Sequence, residues 1–330
     1  MRDTFRRVVA AAAAIVALAA AAPALAAMPK TSDAYPQRAV RLIVPYPPGG
    51  AGDIVGRLLA AKLGENLGQQ VVVDNRGGGA QVIATQIAAT APRDGHTLFL
   101  ASATHSVNAA LRKNLPYDSR RDFAPITLVA QSPLVFIAHP SLGVSSMKEL
   151  IAVARAKPGR INYASSGPGT GGHMSVELLK SMTGIDLVHV PYKGAAPALI
   201  DLIAGQVQMM CTSPLPSMPH VKAGKLRALA MTGLKRASFA PDIPAVAETL
   251  PGFQTTLWYA VLAPAGTPQP VLNRVHDETV KVVRAKDFSQ QLESQGAEPV
   301  ASTPQELRKF IDSEIVQWTK LQKQAKITLD

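Results

Sequence analysis

Three glycines in the middle of the chain have a spacing that can bind an anionic group. Gly167, Gly169 and Gly172 follow the pattern G-x-G-x-x-G, in which backbone N–H groups approach the pyrophosphate of a dinucleotide. A dinucleotide site also needs an acidic residue at the end of the next strand, and that strand ends here in Tyr192 and Lys193. The glycines therefore indicate a turn that binds a smaller anion, or a turn whose role is purely structural.

Patterns typical of catalytic and metal sites are missing from the sequence. It contains no G-x-S-x-G, no H-E-x-x-H and no phosphate-binding loop with Gly-Lys-Ser or Gly-Lys-Thr. The seven histidines are scattered without the spacing of metal ligands. His105 and His173 are expected in turns as neutral hydrogen-bonding groups. The sequence thus predicts neither an enzyme nor a cofactor or metal site.

The glycine-rich turns recur at one place in a repeating pattern of strands and helices. Short apolar runs, such as those that begin at Val40, Val71 and Thr97, alternate with segments of helical periodicity, which is typical of an α/β fold. Glycine-rich turns follow strands at 48–50, 77–79 and 167–172, and a helix is predicted after each. Such turns lie outside the carboxyl ends of strands, where helix N-termini bind anions.

Polar residues in these turns are candidates for contact with a ligand. Asp53, in the first turn of the helix after "PPGG", is predicted to stabilise the helix start, and a direct role in binding stays open. Thr104, His105 and Asn108 are expected in a loop after the strand "TLFLAS".

The first 26 residues have the properties of a secretory signal peptide. Arg2, Arg6 and Arg7 precede a short apolar run of small residues, and Ala-Leu-Ala at 24–26 offers a cleavage site. The run is too short and too poor in large residues to favour a membrane anchor. The single cysteine, Cys211, excludes an internal disulfide. The net charge of +11 comes without a dense basic run, which argues against nucleic acid as a partner.

Several long segments, in order along the chain, are more specific than any single motif. They include "VRLIVPYPPGGAGDIVGRLLAAKLGENLGQQVVVDNRGGG", "INYASSGPGTGGHMSVELL", "HVPYKGAAPALIDLIAGQV" and "APAGTP". These segments resemble the Bug family, the extracytoplasmic solute-binding proteins associated with tripartite tricarboxylate transporters. The resemblance implies an α/β fold of two lobes, each a mixed sheet flanked by helices. Such a Venus flytrap closes on a small carboxylate and performs no chemistry.

The resemblance also implies which residues hold the ligand, mainly through backbone amides of the turns after the first strand of each lobe. On lobe 1 it implicates Tyr46, Pro48, Gly49, Gly50 and Asp53, and on lobe 2 Ser165, Gly167, Gly169, Thr170 and His173. Thr104, Asn108 and Lys193 are further candidates in neighbouring turns. Thr212 stands where many members of the family have an acid that could pair a ligand ammonium. A di- or tricarboxylate or an aromatic carboxylate is therefore favoured over an amino acid.

The predicted function is the capture of a small carboxylate in the periplasm and its delivery to the membrane subunits of a tripartite tricarboxylate-type transporter. The alternative is a ligand sensor that presents the bound carboxylate to a two-component receptor. Lobe 1 is expected to comprise residues 27–131 and 253–330, and lobe 2 residues 132–252. The protein is expected to act as a monomer, without nucleic acid or cofactor.

Export with cleavage after Ala26 is the first testable expectation. The mature chain should begin at Ala27, because small residues precede this bond as signal peptidase requires. The intact mass of the protein from a periplasmic fraction decides the matter. A protein there that still carries Met1 to Ala26 would contradict the expectation.

Overall fold

Short apolar runs become the central strands of the fold, and the segments between them become helices. The described residues of this computed structural model, 35–294, 296–325 and 327, form eleven strands and eleven α-helices. The strands are β1 (Val40–Val44), β2 (Val71–Asn75), β3 (Thr97–Ser102), β4 (Phe123–Pro133), β5 (Val135–Ala138), β6 (Asn162–Ser165), β7 (Val188–Pro191), β8 (Met209–Thr212), β9 (Arg227–Met231), β10 (Thr256–Pro264) and β11 (Glu298–Pro299). The helices are α1 (Ala51–Leu67), α2 (Val82–Ala89), α3 (Ala103–Leu111), α4 (Met147–Ala156), α5 (Gly171–Thr183), α6 (Ala195–Ile203), α7 (Pro214–Lys222), α8 (Val246–Thr249), α9 (Gln269–Arg284), α10 (Lys286–Ser294) and α11 (Pro304–Ala325).

Two predictions concern the membrane. The signal peptide at 1–26, with its cleavage site, lies outside the described residues. Within the described ranges, no helix combines the length and the apolar character needed to span a bilayer.

The strands form two mixed sheets. The first has the order β11-β4-β10-β3-β1-β2, and the second has the order β7-β6-β8-β5-β9. In the first sheet β1 is parallel to β2 and β3, whereas β10 is antiparallel to β3 and β4. In the second sheet β6 is parallel to β7 and β8, whereas β5 is antiparallel to β8 and β9. The predicted architecture, two lobes that each contain a mixed sheet flanked by helices, is confirmed.

Each sheet has its own apolar core. Ile43 of β1, Phe99 of β3 and Trp258 of β10 pack together in the first lobe, and Ile137 of β5 and Met210 of β8 in the second. Each of these side chains is fully buried, which contributes about 1.5–3 kcal/mol per large apolar residue. The carboxyl ends of the parallel strands are thereby held in fixed positions at one edge of each sheet.

The chain passes between the sheets along two paired strands. β4 ends at Pro133 and β5 begins at Val135, so a single residue, Leu134, separates the two sheets there. β10 begins beside this point, since Thr256 pairs with Pro133. The sheets are thus connected at adjacent strand ends, while the lobe boundaries drawn from the sequence stay a prediction.

A predicted loop is a helix in the structure. Thr104, His105 and Asn108 were expected after β3 in a loop, but they lie in α3 and are buried. Asn108 donates from Nδ2 to the carbonyl oxygen of Ala80 at 2.8 Å and accepts from Arg112 at its Oδ1. Asn108 is thus satisfied inside the fold, which its polarity alone does not indicate, whereas Oγ1 of Thr104 and Nδ1 of His105 are buried without a hydrogen-bond partner in the described structure.

The two tryptophans of the chain share one acceptor. Trp258 and Trp318 each donate from Nε1 to Oε2 of Glu314, at 3.1 and 3.2 Å. Burial raises the pKa of Glu314, although the two indole hydrogen bonds act in the opposite direction. The carboxyl group therefore connects β10, in the centre of the first sheet, with the C-terminal helix α11.

Candidate functional site

A cleft lies where the strand ends of the two sheets face each other, with about 620 Å³ of empty space that is partly open to solvent. Its walls come from the turn after β1, the turn after β6, the turn after β7 and the turn after β8, together with residues of the crossing strands. Small-molecule sites are frequent where two lobes or domains meet. The cleft is therefore the candidate site for a small solute.

Helix N-termini from both lobes point their first residues at this cleft. α1, α5 and α6 begin at Ala51, Gly171 and Ala195, and each of these residues lines it. In the described structure, no side chain of the three N-cap residues hydrogen-bonds to the helix. The first N–H groups of each helix have no intrahelical acceptor, and the helix dipole is positive there. The cleft therefore offers several free donors to an anion.

No charged side chain lines the cleft in the part of the chain that the structure describes. Leu134, Leu257 and Pro216 form apolar wall, while Thr212 and Ser213 add hydroxyl groups. A carboxylate can be held here by backbone dipoles without a guanidinium or an ammonium. A ligand ammonium would have no acid to pair with, and its desolvation would be costly.

Two helix glycines are required by close packing under the cleft. A Cβ on Gly52 would lie 2.4 Å from Cδ2 of Tyr46, and one on Gly172 would lie 2.0 Å from the carbonyl oxygen of Cys211. Real Cβ contacts are not this short, so a side chain at 52 would displace the ring of Tyr46, and one at 172 would push α5 away from β8. The glycines allow both helix N-termini to lie close to the cleft.

The predicted site residues fall into two groups. Those that line the cleft are Tyr46, Pro48, Gly50, Thr170 and Thr212. The others, Gly49, Asp53, Thr104, Asn108, Ser165, Gly167, Gly169, His173 and Lys193, lie outside the described lining. Several of this second group hold the turns in shape, as their hydrogen bonds show. A ligand-binding role for any of the fourteen stays a prediction.

Asp53 fixes the turn between β1 and α1. Its carboxylate accepts hydrogen bonds from the Gly49 N–H and from Nδ2 of Asn75, both at 2.9 Å, and it pairs with Arg57. Burial acts to raise the pKa of Asp53, but the hydrogen bonds from Arg57, Gly49 and Asn75 together hold it below its ordinary value. The amide of Gly49 is thus used within the turn.

The turn after β6 uses two of its amides in the same way. The Gly167 N–H donates to Oγ of Ser165, and the Gly169 N–H donates to Nδ1 of His173, both at 3.1 Å. Both glycines have a positive φ, +128° and +75°, which residues other than glycine rarely adopt. The amides of Gly167 and Gly169, which were expected to contact the ligand, are thus paired inside the turn. Their neighbours Ser166 and Thr170 line the cleft.

Stacked rings support this turn from behind. The rings of His173 and His189 stack at 4.2 Å, and Tyr163 stacks on His189 at 4.8 Å. Nε2 of His189 lies 2.6 Å from Oγ of Ser165. Burial lowers the pKa of both imidazoles to about 4, so each is neutral and Nδ1 of His173 is free to accept from Gly169.

The remaining two groups lie further from the cleft. Thr104 and Asn108 are buried within α3, behind the strand ends. Lys193 is exposed in the turn after β7, directly before Gly194, which does line the cleft. The described part of the chain gives Lys193 no ion pair to fix its position.

Sequence reasoning missed most of the cleft wall. The residues concerned are Pro47, Ala51, Gly52, Leu134, Ser166, Gly171, Gly172, Gly194, Ala195, Ala196, Cys211, Ser213, Pro216, Leu257 and Tyr259. Most of them lie one to three residues past a predicted strand-turn junction, so the first turn of each following helix was the available signal. Leu257 and Tyr259 lie on β10, and their orientation depends on strand register, which the sequence does not reveal.

Both a family model and a curated relative match most of this chain. Residues 55–327 match the family described as tripartite tricarboxylate transporter family receptor. The chain is 37% identical to Protein BugT of Bordetella pertussis over 295 residues, which covers 88% of this chain and 90% of BugT.

Two solved structures of similar proteins contain organic acids. The first is R. palustris Rpa4515 with adipate, at 36% identity and a TM-score of 0.86, covering 89% of this chain and 99% of that one. The second is MatC from Rhodopseudomonas palustris with bound malate, at 30% identity and a TM-score of 0.82, covering 87% and 99%.

Gly172→Ala should destabilise the protein, because its methyl group would enter the carbonyl of Cys211. We expect a loss of about 1–3 kcal/mol in the free energy of unfolding, typical of overpacking. Gly171→Ala is the matched control, since its Cβ would make an ordinary contact of 3.4 Å with Leu134. Urea unfolding of both variants measures the difference. Equal stability of the two variants would show that α5 does not depend on its contact with β8.

Stability should also fall as the pH is lowered from about 6.5 towards 5. The folded protein keeps His173 and His189 neutral, with pKa about 4, while the unfolded chain takes up a proton at each near the ordinary value of 6.5. Their stabilisation is thus present above pH 6.5 and is lost as the pH falls towards 4. Glu177 and Lys180, which also face the rings, have opposing charges that partly offset each other.

Urea unfolding at a series of pH values tests this slope. His189→Gln retains an acceptor for Ser165 and removes one titrating group, so its stability should depend less on pH in this window. A slope equal to that of the wild type would mean that His189 does not titrate in this way.

Proposed function

This chain belongs to the tripartite tricarboxylate transporter receptor family, and we propose that it captures a small organic carboxylate in its interlobe cleft. Membership confirms the resemblance to the Bug family, and it identifies a solute-binding receptor rather than an enzyme. The observation that supports the proposed ligand class is the convergence of α1, α5 and α6, from both lobes, on one uncharged cleft.

The strength of such binding is consistent with a transport receptor. A hydrogen bond to a charged group contributes about 1.5–3 kcal/mol. A few of them, less the cost of ordering and closure, reach about −8 kcal/mol, which corresponds to a micromolar dissociation constant. Adipate and malate in the two similar structures belong to the ligand class that the cleft favours here.

The apolar wall of the cleft favours some organic carboxylates over others. Leu134, Leu257 and Pro216 suit the carbon skeleton of the acid, and Thr212 adds a neutral hydroxyl. A di- or tricarboxylate or an aromatic carboxylate meets these groups without leaving a charge unpaired. An amino acid would place its ammonium in the same uncharged surroundings.

Closure of the lobes is part of the proposal. The turn after β1 touches the turn after β7, since a Cβ on Gly194 would lie 3.0 Å from Cγ of Pro47. We take lobe 1 as residues 27–131 with 253–330 and lobe 2 as 132–252, and the paired ends of β4 and β10 as the connection. After export, the receptor would close on its carboxylate in the periplasm and deliver it to the membrane subunits of a tripartite tricarboxylate-type transporter.

A single backbone donor can be removed to test the mode of binding. Ala51→Pro deletes one N–H that lines the cleft, yet proline suits the first position of a helix and Gly50 before it has an extended ψ of 167°. We expect unchanged folding stability and an affinity for the acid that is lower by about tenfold or more. Ala51→Ser keeps the N–H and should lose much less affinity.

The assay starts with a thermal-shift screen of adipate, malate, citrate and benzoate, with adipamide and 1,6-diaminohexane as uncharged and cationic controls. At 100 times its dissociation constant an acid should stabilise the protein by about 2.7 kcal/mol. Calorimetry on the wild type, Ala51→Pro and Ala51→Ser then gives the affinities. Stabilisation by the diamine but by none of the acids would refute the proposed ligand class.

A further inference from the structure

Two tyrosines flank the start of α1 at the cleft, and their hydroxyl groups differ. A Cβ on Gly52 would lie 2.4 Å from Cδ2 of Tyr46 and 3.3 Å from Cε1 of Tyr259, so both rings stand against the first turn of the helix. Both tyrosines line the cleft. The ring carbon Cε1 of Tyr259 is one bond from the carbon that bears the hydroxyl group, which therefore lies near the free N–H groups of α1.

The Tyr46 hydroxyl is engaged within the protein. It donates to Oγ of Ser102 at 2.8 Å, and Ser102 donates in turn to Oε1 of Gln81 at 3.1 Å. These two hydrogen bonds use the hydroxyl protons of Tyr46 and Ser102. Ser102 also pairs with Tyr259 across β3 and β10, but its own hydroxyl is already committed to the chain with Tyr46.

The Tyr259 hydroxyl makes no hydrogen bond to any residue that the structure describes, and its oxygen is not sealed from solvent although the side chain as a whole is only 3% exposed. Tyrosine hydroxyls in such a position normally find a partner, and the open side here is the cleft. Burial, and to a smaller extent the neighbouring Tyr46, raises the pKa of Tyr259 well above its ordinary value. The phenol thus keeps its proton and is available as a donor.

The pairing of β10 with β3 and β4 sets the position of Tyr259. The register between β10 and β4 shifts between Tyr259 and Ala260, which is the signature of a β-bulge. The additional residue, Val129, belongs to β4, whereas β10 keeps a regular register with β3 from Tyr259 to Leu262. This register places Tyr259 opposite Ser102, the last residue of β3, at the carboxyl end of the parallel strands.

We propose that the Tyr259 hydroxyl donates a hydrogen bond to the bound carboxylate, alongside the N–H groups at the start of α1. The inference rests on the proposed function, since it assumes an anion in the cleft. It adds a side-chain donor to a site otherwise made of backbone amides. One carboxylate oxygen then meets the helix and the other meets the phenol, which fixes the orientation of the acid.

The test compares two Tyr→Phe variants that each remove one phenol oxygen without a hydrogen-bond partner in the described structure. Tyr259→Phe removes the hydroxyl at the cleft. Tyr117→Phe is the matched control, because Tyr117 is 7% exposed and its hydroxyl also has no partner in the described structure, but it lies outside the cleft. Calorimetry uses the acid that gives the largest thermal shift among adipate, malate, citrate and benzoate.

We expect Tyr259→Phe to bind this acid roughly 10- to 100-fold more weakly and Tyr117→Phe to bind it like the wild type. Both variants should unfold at the urea concentration of the wild type or above, since neither loses a hydrogen bond. Wild-type affinity in Tyr259→Phe would overturn the inference, and so would an equal loss in both variants. A wild-type protein that binds none of the acids would instead refute the proposed function.

Discussion

Unpaired backbone N–H groups at the starts of helices are the constraint on which the rest of this structure depends. α1, α5 and α6 leave their first donors without a side-chain cap, and both sheets direct these ends at one cleft. Donors in this condition are costly unless water or a ligand accepts from them. The fold tolerates this arrangement because its lobes are stabilised elsewhere, by separate apolar cores.

The residues around these donors have two roles: some allow close packing and others hold the turns in place. Glycine at 52 and 172 lets the helix starts pack closely against Tyr46 and β8 beside the cleft. Asp53, Ser165 and His173 pair with amides of the adjoining turns and keep them in place. With the turns fixed in this way, the binding of an anion as proposed would need little reorganisation of the protein.

The sequence was informative about elements and less so about contacts. The strand–glycine turn–helix pattern predicted β1, β6 and the helices after them, because apolar runs and glycines act locally. It also drew attention to Gly167 and Gly169, whose conformation is special but whose amides bond within the turn. Tyr259 could not be predicted, because its direction follows from the register between β10 and β3, which are distant in sequence. Asn108 lies in a helix and makes a tertiary hydrogen bond to Ala80, which periodicity does not encode.

The two tryptophans that share the Glu314 carboxylate are native fluorescent groups in positions sensitive to the packing of α5. Trp318 packs in one cluster with Met174 of α5, a residue of the helix whose first turn lines the cleft. Trp258 precedes Tyr259 on β10, and both indoles donate to the same oxygen. Any shift of α5 against α11 therefore changes the surroundings of Trp318 and, through Glu314, of Trp258 as well. The native emission spectrum, without any attached dye, would therefore respond to a movement of α5 relative to α11.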